Sequence, residues 1–316
     1  MINYLLIPIL LIILIQLYFR LSMHYNIFDI PNHRSSHTEV TIRGAGIVFP
    51  LAVVLGFSFF GEVHVFFIAG LLIISIISFI DDLIPLSALF RLVVHLLAVS
   101  LMLYALNIYY LWPLWLVILS YIVIIGTINA FNFMDGINGI TGIYSVATLI
   151  SMMYINFFTI HFITNYLIIC PFLACLIFLF YNFRKKARCF AGDVGSISIS
   201  FLLIALTIAI ITKTASFKYI FLFSVYGIDV CFTLIKRIRL GQNILQAHRL
   251  HLYQLLVHKG NYEHRGIALA YGIIQLAINA FLITTDLPLL IYLLIVIIVL
   301  GLSYLNIQRY LNLKVA

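Results

Sequence analysis

Long apolar runs, broken by short polar stretches, fill the chain from one end to the other. Runs of about 17–25 apolar residues can cross a hydrocarbon core as helices. Here they fall at about 2–22, 44–61, 63–80, 92–108, 112–131, 139–158, 162–183, 194–212, 217–235, 266–284 and 287–308. The pattern predicts an all-α polytopic membrane protein with about eleven transmembrane helices (about 10–11), organised as one transmembrane domain over residues 1–316. No small-residue cleavage site follows the first run, so it is expected to stay as a helix rather than leave as a signal peptide. Composition agrees: 64% of residues are hydrophobic, 9% are charged and mean hydropathy is +1.17, far from soluble domains.

The polar stretches set the expected orientation. If the N-terminus is outside and the crossings alternate, sixteen of the eighteen Lys and Arg residues fall on one side, leaving only Lys213 and Lys218 on the other. Basic loops mark the cytoplasmic face, so the C-terminus is expected there as well. Tyr109, Tyr110, Trp112 and Trp115 then lie at the outer interface, where amphipathic rings are favoured. The net charge of +8 needs no nucleic acid to explain it; anionic lipid or an anionic substrate suffices. The longer loops, 23–43 and 236–265, are on the cytoplasmic side with nearly all the reactive side chains. None of the four cysteines has metal-ligand spacing with another.

Only ten residues are acidic, and Asp81, Asp82, Asp135 and Asp193 all sit where an apolar run stops. A carboxylate beside hydrocarbon is costly unless it has a partner, a proton or a metal, so their placement points to one polar site at the membrane surface. The adjacent pair Asp81-Asp82 repel one another unless a cation lies beside them; a solvated helix end is the plainer alternative. In NAFNFMDGINGITG, Asn129, Asn132, Asp135 and Asn138 recur every three residues, so neighbours in the series differ by about 60° around a helix. Amides and a carboxylate entering a Gly-rich turn suit a sugar, a ribose or a base edge, or else hold helices together. RKKARCFAGDVGS places four basic residues before a turn that opens a helix. Backbone N–H groups there suit phosphate, and Asp193 could hold a divalent cation against it; Asp193 or Ser196 could equally be a plain N-cap. In HRLHLYQ, His248 and His251 flank Arg249, an arrangement better suited to phosphate than to zinc. Asp229, about 10 Å into its run, is an intramembrane acid with a functional reading by default.

In this order the stretches RSSH (34–37), RGAG (43–46), Asp81-Asp82, NAFNFMDGINGITG, AGDVGS and HRLHLYQ resemble the polyprenyl-phosphate N-acetylhexosamine-1-phosphate transferases, also called glycosyltransferase family 4. The resemblance covers about residues 28–265 and is strongest to the branch that initiates O-antigen-type polysaccharides. It implies transfer of N-acetylhexosamine-1-phosphate from a UDP-sugar to undecaprenyl phosphate, giving sugar-diphospho-undecaprenol and UMP, at the cytoplasmic face of the bacterial inner membrane. It further implies dependence on Mg²⁺, with Mn²⁺ a substitute, and allows a homodimer. Carried over by position, Asp193 is the metal ligand and Asp81 and Asp82 the catalytic pair. Arg43, Asn129, Asn132, Asp135, Asn138, Asp229, His248, Arg249 and His251 bind substrate. Many relatives carry an Asp where this chain has Asn138, and an amide there cannot act as a base.

Two other classes use intramembrane acids. Secondary transporters place them near the midplane, often within paired repeats; only Asp229 is deep here and no repeat is evident. Intramembrane aspartyl proteases carry a GxGD pattern, which is missing around Asp193 because Ala191 precedes Gly192.

Overall fold

The computed structural model describes residues 2–31, 39–61, 64–243 and 249–315. It is almost wholly helical. The chain begins with α1 (Ile2–His24) and a two-stranded antiparallel ribbon, β1 (Phe28–Asp29) on β2 (Thr41–Ile42). Next come α2 (Val48–Phe60), α3 (Val65–Leu83), α4 (Ala88–Ala105), the short α5 (Ile108–Leu111), α6 (Leu114–Met134), α7 (Ile140–Tyr154) and α8 (Tyr166–Asn182). They are followed by α9 (Gly192–Thr214), α10 (Ser224–Arg239), α11 (Leu252–His258), α12 (His264–Thr284), α13 (Leu289–Val296) and α14 (Leu302–Val315). Among the described residues nine helical stretches are long and apolar enough to cross a membrane, and two shorter apolar ones, Ala45–Phe60 and Tyr166–Asn182, accompany them. Each run read from the sequence coincides with one of these, as expected of a multi-pass membrane protein.

The centre of the bundle is α9. Its whole apolar window is buried, against 22% for Leu289–Leu311 at the periphery, whose leucines and isoleucines face outward as hydrocarbon-facing side chains should. Packed against α9 are α3, α6, α2 and α7. Its hydroxyl residues are compatible with this position because they return their protons to the helix: Ser200 donates to the Ile197 carbonyl at 2.9 Å and Thr207 to that of Leu203 at 2.9 Å.

A close backbone crossing fixes one end of α9. The amides of Ala45 and Gly46 donate to the carbonyls of Phe190 and Ala191, both at 3.0 Å, and the Phe190 amide donates to the Ile42 carbonyl at 2.8 Å. A methyl on Gly46 would overlap the Cα of Gly195. Because the obstacle is backbone, no side chain can move aside. Gly46→Ala is therefore expected to cost about 3 kcal/mol or more, read as a lower melting temperature in detergent; an unchanged melting temperature would count against this crossing.

Candidate active site

Where α9 begins, its first backbone N–H groups have no partner within the helix. The partner comes from α3. The Asp193 amide donates to Asp82 Oδ1 at 2.9 Å and the Val194 amide to Asp82 Oδ2 at 3.1 Å. The cap of this helix is thus a carboxylate from another helix, placed at its positive dipole end, rather than Asp193 or Ser196. Gly192 makes the approach possible: it has φ +71°, and a methyl there would lie 2.5 Å from Asp82 Oδ2 and 2.9 Å from Gly44 Cα.

Arg43 closes the cluster. Its Nε pairs with Asp82 Oδ1 at 2.7 Å and its Nη2 lies 3.8 Å from Asp193 Oδ1. Tyr18 holds the Arg43 backbone by donating to its carbonyl at 2.5 Å. From α6, Asn132 Nδ2 donates to Asp193 Oδ1 at 3.0 Å and to Ser196 Oγ at 3.1 Å. The Asp193 side chain makes these contacts through Oδ1 and stays 24% exposed, whereas that of Asp82 is fully buried. Asp135 follows directly after α6, half-buried, with Thr141 Oγ1 donating to its Oδ1 at 2.6 Å.

The two adjacent acids part company. Asp81 Oδ1 accepts the Leu86 amide at 2.6 Å and its Oδ2 pairs with Arg91 at 2.8 Å. Neighbouring helical residues point about 100° apart, so each carboxylate finds its own guanidinium: Arg43 for Asp82, Arg91 for Asp81. The repulsion expected of the pair is relieved by this division.

Other residues read from the sequence lie elsewhere. Asn129 is exposed on α6 and donates to the Ile125 carbonyl of its own helix at 2.8 Å, so no described bond brings it into the cluster. Asn138 is buried and its Nδ2 donates to the carbonyls of Arg184 and Lys185 at 2.9 and 3.3 Å. A carboxylate could not donate there; the amide is what closes loop 183–190 onto the Gly-rich turn. Asp229 is 2% exposed and accepts the amides of Leu252 at 2.9 Å and Tyr253 at 3.4 Å, the Tyr271 hydroxyl at 2.7 Å and the Thr233 hydroxyl at 3.3 Å. Buried His251 places Nδ1 3.3 Å from the same carboxylate. Asp229 is therefore an anchor for the start of α11, using the same device as Asp82 on α9. Arg249 is half-buried just before it, and His248, like the stretch 34–37, lies outside the described residues.

Beside the cluster opens a cleft of about 300 Å³ lined by Thr41, Asn138, Phe190, Arg184, Lys185, Lys186, His264 and Arg265, with Glu39 and Glu263 at its edge. Lys186 pairs with Glu39, and Lys185 with Glu263 at 3.6 Å. Phe190, His264 and Asn182 are contributors that pattern reading did not single out. Asn182 accepts the Gly139 amide at 2.6 Å and donates to the Cys189 carbonyl at 2.8 Å, tying the cleft's two loops together. A lone amide where an apolar run ends was its only trace in the sequence.

Burial pushes the Asp135 carboxyl up from its ordinary 3.8 to about 7, reinforced by the charges of Asp193 and Asp82 and opposed by the Thr141 hydrogen bond. Below pH 3.8 both folded and unfolded chains are protonated there; between 3.8 and about 7 the folded chain holds a proton that the unfolded chain releases. Stability from this group is thus lost as pH rises through that window. In the metal-free protein, Asp135→Asn is expected to flatten the fall of melting temperature between about pH 4 and 7. An unaltered slope would contradict the burial of this carboxyl.

The chemistry of the cluster is oxygen donors, one half-buried guanidinium and a helix N-terminus, which together suit a diphosphate and a hard cation. Residues 64–211, just under half of the chain, match the family model described as Glycosyl transferase family 4. The match supports membership of that family. It holds Asp81, Asp82, Asn132, Asp135 and Asp193, and it points to a transferase. In general terms the family points to sugar-phosphate transfer onto a polyprenyl phosphate within a bilayer. No curated protein matches the chain.

Proposed function

We propose that the protein transfers N-acetylhexosamine-1-phosphate from a UDP-sugar to undecaprenyl phosphate at the cytoplasmic face of a bacterial inner membrane, initiating an O-antigen-type or related envelope polysaccharide. The observation that carries this reading is the Asp82–Arg43–Asp193 cluster, with a basic cleft whose lining residues Thr41 and Phe190 precede Arg43 and Asp193 by two and three positions. A diphosphate laid across the two would place its nucleoside among Phe190, Asn138 and His264 and its phosphates between the basic loop and Asp193.

The residues fit Mg²⁺. Mg²⁺ takes one or two carboxylates together with substrate phosphates rather than a full protein cage, and among the described residues no group of three or more His, Cys, Asp or Glu forms such a cage. Asp193 would hold it, with Asn132, Asp135 and Ser196 adjacent; Mn²⁺ would fit the same donors. When bound, the ion would neutralise diphosphate charge.

The reaction requires an oxygen of the acceptor phosphate to attack the β-phosphorus of the donor. The bond from that phosphorus to the bridging oxygen breaks, and UMP leaves with the bridging oxygen. Such transfer depends on position and charge more than on a strong base, and the acceptor phosphate is already largely ionised at neutral pH. Asp82, with both oxygens held by backbone amides and Arg43, supports this as a fixed anion that orients Arg43 and the end of α9. Arg91, 40% exposed and paired with Asp81, offers a guanidinium to the acceptor phosphate at the membrane surface.

Purified protein supplied with Mg²⁺, undecaprenyl phosphate and, in turn, UDP-GlcNAc, UDP-GalNAc, UDP-QuiNAc and UDP-FucNAc is expected to release UMP from at least one donor. Chelation by EDTA is expected to stop it. Silence across the whole panel would overturn the proposal.

A further inference from the structure

Tyr253 lies on α11, the element anchored by Asp229, and belongs to neither the cluster nor the cleft. It is fully buried at the second position of α11, directly after the Leu252 amide held by Asp229. Its own amide lies 3.4 Å from Asp229 Oδ2, so the Tyr253 backbone is tied to α10. Its side chain runs the other way. The hydroxyl donates to the Phe133 carbonyl at 2.9 Å, in the last turn of α6. The ring meanwhile fills the space beside Gly136: a methyl there would overlap the Tyr253 hydroxyl and lie 3.1 and 3.2 Å from Cζ and Cε2. Met134 and Asp135 lie between these two contacts.

A helix end that runs into a glycine has no intrinsic reason to stop at one height. The last carbonyls of a helix lack partners within it, and glycine leaves the backbone loose. Tyr253 supplies a donor to the one and a wall to the other. From this geometry we infer that Tyr253 is a positioning residue: anchored through Asp229, it sets the place at which the 133–136 turn presents Asp135 to the Asp82–Asp193 cluster. The segment 249–253 and the Asn/Asp-rich turn, distant in sequence, are thereby coupled through one phenol. The inference rests on the transferase reading, because its readout is UMP release.

The test is a double-mutant cycle on UMP release, measured per mole of folded protein with melting temperatures recorded alongside. Tyr253→Phe removes only the hydroxyl and is expected to lower kcat about tenfold with a small change in melting temperature. Gly136→Ala is expected to lower kcat by about a hundredfold, since the methyl meets a hydroxyl that is held in place. The double variant is expected to recover to about the level of Tyr253→Phe alone, because the obstructing oxygen is gone. Losses that multiply in the double variant would overturn the coupling. If Gly136→Ala does not fold, Tyr253→Phe alone decides: kcat equal to wild type would overturn the inference. An inactive wild type across all donors would instead refute the transferase reading, so the two failures are distinguishable.

Discussion

Asp193→Asn is expected to lower UMP release by at least about a thousandfold, roughly 4 kcal/mol of transition-state stabilisation, while leaving the protein folded. The substitution keeps the size of the side chain and an oxygen for the Asn132 amide, whose bond at 3.0 Å would survive. The α9 cap is untouched because it comes from Asp82. What is lost is the negative charge proposed to hold the cation against the diphosphate, at the only cluster carboxylate that combines contact with Arg43 and an exposed edge. Initial rates at saturating Mg²⁺, with melting temperature as control, decide the matter. More than a tenth of wild-type activity would remove Asp193 from the metal role.

Asp82→Ala is expected to fail differently, by losing both stability and activity. Its carboxylate is fully buried and joined to Arg43 at 2.7 Å. Removing it leaves Arg43 without this partner and takes the acceptor from the amides of Asp193 and Val194, at about 1–3 kcal/mol for each buried polar group left unsatisfied. The expected result is a drop in melting temperature well beyond that of Asp193→Asn, with little UMP release from whatever remains folded. Asp81→Ala supplies the contrast. Its carboxylate pairs with a partly exposed Arg91 and holds one backbone amide, that of Leu86, rather than the two that begin α9, so a smaller stability loss is expected. Equal losses of melting temperature in the two variants would contradict the division of the Asp81-Asp82 pair.

Much of the architecture was legible because a bilayer-spanning helix must be both long and apolar. The run at 194–212 announced α9, and even the short helix after the RGAG stretch appears where expected. The site was legible where chemistry is carried by residues costly in hydrocarbon: Asp82, Asp193 and Asn132 do meet, although the chain separates Asp82 from Asp193 by 111 positions. Periodicity served less well for Asn129. Sharing a helix face to within about 60° does not ensure a shared neighbour at the rim of a bundle, and Asn129 turns to its own backbone. Asp229 was visible as an anomaly but not as an anchor, because the groups it holds at the start of α11 are backbone amides, which leave no trace in a sequence. The same holds for the Asp82 cap on α9. Asn138 is read differently once its neighbours are known: its amide hydrogens, and not a missing carboxylate, are the feature loop 183–190 uses.

The central claim is that a sugar travels with a phosphate. It is tested most directly with a donor labelled with ³²P in the β-phosphate, incubated with protein, Mg²⁺ and undecaprenyl phosphate and then extracted into organic solvent. Label in the lipid phase, with unlabelled UMP in water at equal amount, is the predicted result. Transfer of the sugar alone, leaving labelled UDP in water and none in the lipid, would contradict the account.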